Sequence, residues 1–199
     1  MWSKNKYEEK LKKAFPEKLA KEVENVIKVL PIENHEIKLV DGQIHQMNDL
    51  IHSSKYAVKL NSEQLIIPYR LYFDEPAKED EKKLNQIEKE ILNCIYLRHH
   101  NGYLREKRLK NLLKSENKFV IPYSIQLLGE YVLEILKILD KHITDSNLSL
   151  YQEFAEENPK YWQKTESRMV SYWDAYYRYK SPNLKEYIGY ELVKRIRIK

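Results

Sequence analysis

Glycine is scarce in this chain, with four among 199 residues. A fold assembled from many strands needs a tight turn at each reversal, and such turns draw on glycine. The shortage argues against an all-β protein, and long segments rich in Lys, Glu and Leu favour helices. Cysteine is scarcer still. Cys94 stands alone in "EILNCIYL", so neither an internal disulfide nor a cysteine-rich metal site is available, and a small buried hydrophobe is expected there. That usage fits a reducing cytoplasm.

No run of about eighteen apolar residues occurs, so no membrane-spanning helix is expected. The opening "MWSKNKYEEK" lacks the hydrophobic region of a signal peptide. Phosphate-binding glycine loops, zinc-finger spacings and dinucleotide fingerprints are also missing. No cofactor and no membrane partner is expected.

What is present is charge and aromatic surface. Charged residues make up 33% of the chain and the formal net charge is +5. Seven basic residues between Arg98 and Lys118 face only Glu106 and Glu116, and ten between Lys160 and Lys199 face four acidic ones. Two such regions suit a nucleic acid or an acidic protein if they form one patch; otherwise they are solvated helix faces.

The pattern predicts one continuous domain over 1–199, with a helical N-terminal part (1–35), a β-hairpin insertion (36–75) and a helical body (82–199). A short charged helix over 3–14 precedes a second that starts at Pro16. Leu19, Val23, Val26, Ile27 and Leu30 recur there at steps of three and four, and Pro31 ends it. Asp41-Gly42 signals a two-residue hairpin turn, and a second hairpin is expected around Asn61-Ser62-Glu63, with Pro68 at a strand end or edge. The acidic "FDEPAKEDE" is expected as a loop. Leu84, Ile87, Ile91, Cys94 and Ile95 then form a helical stripe. Pro122 opens a very apolar helix running through Ile125, Leu128, Val132, Ile135, Leu136 and Leu139, expected at the centre of the body. An aromatic helix follows Asn158-Pro159, and a last helix is expected near 183–198.

The stretch "LRHHNGYLREKRLKNLL" is the densest in candidate chemistry. It reads as two helices turning against each other, with Gly102 supplying a left-handed helix end. Arg98, Asn101-Gly102, Leu104-Arg105 and Leu109 resemble a helical hairpin of the HEAT-repeat type. The combination "IPYRLY", "RHHNGYLRE" and "PYSIQLLGEYVLEI" resembles an uncharacterised bacterial protein family, a likeness that brings no activity with it. The expected fold is therefore mainly α: a helical bundle or short HEAT-like array with a small β-hairpin region near 36–73.

Glu130 and Glu134 lie four apart in the most apolar helix, so they are expected on one side of it, where unpaired carboxylates are costly. Arg98 and Arg105 are the natural partners in a buried polar network. The competing reading is a metal or acid/base site with His99 and His100, which are expected on different helix faces. In the aromatic helix, Tyr161, Trp162, Met169, Tyr172, Trp173, Tyr176 and Tyr177 share a broad side beside a basic stripe of Lys160, Lys164, Arg168 and Arg178. That side reads as core, as a stacking surface for nucleic acid, or as a protein interface anchored by aromatics and arginine.

The first reading is thus a non-enzymatic macromolecule-binding protein, an adaptor or toxin-neutralising module with a protein partner. Its expected binding surface draws on Arg98, His99, His100, Arg105, Arg108, Lys160, Lys164, Arg168, Trp173 and Arg178. The alternative is a nucleic-acid-binding helical-repeat protein with DNA or RNA processing activity. A metal-dependent enzyme using Glu130, Glu134 and the two histidines comes third.

Overall fold

A computed structural model of the chain describes residues 2–38 and 41–197. Among them are ten α-helices and two separate two-stranded antiparallel sheets, which makes the fold mainly α with β-hairpins, as expected. None of the described helices is long and apolar enough to cross a membrane.

Helix α1 (Trp2–Lys12) is followed by a 3-10 turn (Glu17–Leu19) and α2 (Ala20–Val29). The expected apolar set, Leu19, Val23, Val26, Ile27 and Leu30, is buried. Pro16 stands just before the 3-10 turn in an extended conformation rather than inside it. Leu30 is likewise extended, because the ring of Pro31 disfavours helical backbone at the residue before it.

The first hairpin pairs β1 (Glu36–Lys38) with β2 (Ile44–Gln46). Asp41 and Gly42 sit in its connection, Gly42 at φ 87°; the part of that expected turn falling on residues 39 and 40 lies outside the described residues. In the second hairpin β3 (Lys55–Leu60) runs against β4 (Glu63–Pro68), closing at Leu60↔Glu63. Asn61 and Ser62 both take positive φ, 52° and 68°, the backbone a two-residue turn requires. Pro68 ends its strand, as expected. Tyr56, Val58 and Leu60 point inward and are buried with Leu65 and Ile67, so this hairpin supplies core. Each such side chain contributes about 1.5–3 kcal/mol of burial.

The acidic segment after the hairpins is only partly loop: α3 (Lys78–Lys83) takes up its second half, with three carboxylates in its first turn facing the positive helix end. A capping box of Asn85 and Glu88 starts α4 (Gln86–Tyr96), which packs on α2. Its buried side holds Ile91, Cys94 and Ile95, whereas Ile87 is 39% exposed. Then come α5 (Gly102–Lys110), α6 (Ile121–Gln126), α7 (Leu133–His142), α8 (Leu148–Glu157), α9 (Pro159–Tyr172) and α10 (Ile188–Ile196). The expected end of the last helix at Ile198 lies outside the described residues.

Two differences from the sequence reading matter for the site. First, Gly102 has no positive φ. The turn before α5 is instead made by Asn101, whose side chain accepts from the Tyr103 and Leu104 amides. Second, the expected central apolar helix is two helices. After α6 a 3-10 turn (Leu127–Gly129) leads to Glu130 in an extended conformation, and α7 begins only at Leu133. A β-carbon at Gly129 would meet Arg168 Cβ at 3.0 Å and the Thr165 carbonyl at 3.3 Å, so glycine lets α9 approach this break closely.

Candidate functional site

The stretch Leu97–Gly102 is not a plain helix–helix turn. Helix α4 ends at Tyr96, and the chain then runs alongside the segment after β4. The Leu71 amide donates to the Arg98 carbonyl and the His100 amide to the Leu71 carbonyl, both at 2.9 Å. Arg98, His99 and Arg105 are all buried in this junction. Arg98 donates through Nη2 to the Tyr69 carbonyl (2.8 Å) and through Nε to the Pro68 carbonyl (3.3 Å). Desolvation, with Arg70 nearby, lowers its pKa to about 10. Arg105 holds the carbonyls of His99 (2.7 Å) and His100 (2.9 Å), and the His99 carbonyl also accepts from Arg70 (3.2 Å).

Glu130 is the carboxylate at the centre of this cluster. Its Oε2 accepts from Arg105 at 3.0 Å and its Oε1 lies 3.6 Å from Arg70. Arg98 and Arg168 lie within electrostatic range of it. Four guanidinium groups thus gather around one carboxylate, a surplus of positive charge close to the surface. The expected network is corrected at two points. Glu134 does not join it, because the break at Gly129–Val132 resets the helical phase and leaves Glu134 exposed. Arg98 is held by carbonyls rather than by a carboxylate hydrogen bond.

His99 and His100 are also corrected. Lying beyond the end of α4, they do not diverge on helix faces; their rings approach to 4.4 Å. The Asn101 amide donates to His99 Nδ1 (3.1 Å), so the ring proton sits on Nε2 and is donated to the Phe73 carbonyl (3.1 Å). Burial, with His100 beside it, lowers the His99 pKa to about 3. His100, stacked on Tyr72, is lowered too, by burial and by Arg105 and Arg70. Among the described residues no three His, Cys, Asp or Glu side chains form a group able to hold a metal.

The neutral His99 carries a pH prediction. Its unfolded imidazole titrates near 6.5, so its contribution is intact above that pH and is lost as pH falls from 6.5 toward about 3. At pH 5 the loss from this one group is about 2 kcal/mol. Urea unfolding should show it as weaker stability near pH 5 than near pH 7.5. In His99→Asn the difference should shrink; an identical pH dependence in the variant would remove His99 as its source.

Over the arginine cluster lies an open cleft of about 400 Å³. Tyr69 walls it, with Lys55 and Tyr56 from β3 and Lys164, Arg168 and Tyr172 from α9. The Arg168 guanidinium sits between rings, 5.6 Å from Tyr69 and 5.7 Å from Tyr172, and donates to the Tyr56 hydroxyl at 2.9 Å. Arg70 covers Tyr69 at 5.3 Å, and Lys164 covers Tyr56 at the same distance. Burial alone would raise the Tyr69 pKa, but Arg168 and Arg70 outweigh it and lower it. Among the described residues no carboxylate lines this cleft. Beyond Tyr172 the surface continues as a tyrosine cluster: Tyr131 lies 5.8 Å from Tyr172 and 5.4 Å from Tyr176, nearly parallel to the latter. Tyr131 then borders a second cleft of about 600 Å³ with His100, Tyr103, Glu134 and Tyr177.

The expected binding residues fall into separate places. Lys164 and Arg168 meet in the first cleft, and His100 borders the second. Lys160 is exposed on α9. Arg178 is exposed, bonded to Asp174 at 2.7 Å, and covers Trp173. Arg98, His99, Arg105 and Arg108 are buried, so they stand behind the surface rather than on it. Trp173 is also buried, donating to the Ser181 carbonyl; a π-helical turn (Trp173–Tyr177) rotates it inward and Tyr176 outward. Sequence reasoning missed Lys55, Tyr56, Tyr69, Arg70 and Tyr131. The signal available was "IPYRLY", where a strand-ending proline is followed by tyrosine and arginine.

The fold and this face define a mainly α protein whose β-hairpin and ninth helix together frame a basic, tyrosine-walled cleft. Comparison with protein-family models, with curated proteins and with solved structures finds no match.

Proposed function

We propose that this chain is a non-enzymatic binding protein that holds an acidic macromolecule on the face centred at the Lys55–Lys164–Arg168 cleft. The observation that carries the reading is charge without neutralisation. Lys55, Lys164 and Arg168 line a cleft that has no carboxylate among the described residues, and three further arginines, Arg70, Arg98 and Arg105, stand behind it with Glu130. Buried like charge of that kind is costly, and an approaching anion offsets part of the cost. Three groups that nucleophilic or acid/base chemistry could use are engaged inside the protein. Both His99 nitrogens are hydrogen-bonded, Cys94 is buried, and Ser124 Oγ is tied to Tyr151 and two carbonyls.

The test is fluorescence anisotropy with labelled oligonucleotides and a labelled polyglutamate peptide at low and near-physiological salt. The protein should bind at least one of them with an affinity that falls as salt rises. The exposed pair Lys55→Glu/Lys164→Glu should weaken that binding by at least about tenfold with unchanged melting. Absence of binding to every probe, or equal binding by the variant, would defeat the reading.

A further inference from the structure

We infer that the acidic macromolecule is a single-stranded nucleic acid, its phosphates seated in the Lys55–Lys164–Arg168 cleft and its bases on the tyrosines beyond it. This rests on the binding reading above and names its ligand. The argument begins with the arrangement of rings and charges. Tyr172 belongs to both halves of the face: its ring lies under Arg168 in the cleft and touches Tyr131 and Tyr176 outside it. A basic groove therefore passes directly into a cluster of three rings. Cations tracking a backbone beside aromatic platforms are how single strands are held without sequence readout.

Exposed ring faces favour a single strand over a duplex. The three ring centroids of Tyr131, Tyr172 and Tyr176 are mutually 5.4 to 6.0 Å apart, a cluster whose outward faces can take unstacked bases. Bases in a duplex have both faces covered, whereas unstacked bases offer a face to each ring. Tyr176 is 58% exposed and Tyr131 44% exposed, so the rings retain surface despite touching one another. Farther along, Tyr103 is 74% exposed beside the second cleft.

Charge sets the strand's orientation. Glu134 and Glu106 border the second cleft, and Glu106 is offset by Lys110 at 2.7 Å. The remaining negative charge, on Glu134, repels phosphate and can accept from a base amino group. Phosphates are thus directed to the lysine and arginine side and base edges to the Glu134 side. An acidic protein would be drawn to the same cations. Tyrosine and arginine are enriched in protein interfaces too, so the separating feature is Glu134 beside the platform, which repels an acidic side chain and can accept from a base amino group.

The experiment compares oligo-dT, an RNA of equal length, a duplex and polyglutamate as anisotropy probes over a salt series. Single strands, of either sugar, should bind more tightly than the duplex and polyglutamate. Lys55→Ala/Lys164→Ala should weaken binding and reduce the salt slope by about 1.4, roughly 0.7 for each phosphate that a lysine no longer neutralises. Tyr176→Ala should weaken binding about 5- to 150-fold with the slope unchanged, and Tyr176→Phe should retain it. Duplex binding as tight as single-strand binding, or an unchanged Tyr176→Ala, would overturn the inference while leaving polyanion binding in place. Capture of polyglutamate alone would replace the ligand with an acidic protein. Silence from all four probes would remove both readings.

Discussion

Alanine at Glu130 is expected to destabilise the fold by about 3–5 kcal/mol, the range for removing one partner of a buried ion pair. Glu130 and Arg105 are both 1% exposed. Without the carboxylate, Arg105 keeps its carbonyl acceptors but loses its counter-charge, and Arg70, Arg98 and Arg168 lose the anion that screens them from one another. None of this can be relieved by turning the Arg105 side chain to water. For a chain of this length the melting temperature should fall by roughly 10 °C. Glu130→Gln should lie between, since it preserves an acceptor for Arg105 and removes only the charge. A double-mutant cycle with Arg105→Met separates the pair energy from the cost of stranding one member. An alanine variant that melts with the parent would show that the four arginines do not depend on Glu130.

How much of this was legible beforehand follows from the range of the interactions. The N-terminal helices could be read because their apolar spacing and prolines act over a few residues; so could the second hairpin, where Asn61 and Ser62 supply the φ a tight turn demands. The pairing of Arg105 with Glu130 was legible from chemistry alone, since a carboxylate in an apolar segment must find a cation. The position of Glu134 was not. Its assignment assumed that helical phase continued past Gly129, but the helix breaks there, where glycine admits the close approach of α9, whose Thr165 and Arg168 stand more than thirty positions away. His99 and His100 were misplaced for a similar reason. The backbone partner of that stretch is Leu71, and local periodicity carries no trace of it. Lys55, Tyr56 and Tyr69 reach the cleft only because a hairpin folds against α9, so nothing in their own neighbourhood marks them as belonging with Arg168.

Arg108 provides the second large effect and a contrast with Glu130. It is also 1% exposed, yet its partners are not buried: Glu75 and Glu81 are 33% and 29% exposed. The guanidinium bonds both carboxylates at 2.5 Å, reaches Asn93 at 3.3 Å and lies 4.9 Å from the ring centre of Tyr96. Arg108→Ala should cost about 3 kcal/mol, from weaker packing on Tyr96, the cavity left behind and the broken bonds. Methionine, which refills most of the volume, should cost less than about 2 kcal/mol, because Glu75 and Glu81 can turn to solvent instead of being stranded. Urea unfolding of the three variants should therefore rank Glu130→Ala as most damaging, then Arg108→Ala, then Arg108→Met. If Arg108→Met were as damaging as Glu130→Ala, the carboxylates at Arg108 would have to be as cut off from water as Arg105 is. The distinction between a solvent-linked clamp on α5 and a charge cluster sealed beneath the cleft would then fall. That sealed surplus is what the proposed anion binding rests on, so the ranking also bears on why the cleft at Arg168 is proposed and not the surface of α5, whose exposed Lys107 and Lys110 pair with Glu75 and Glu106.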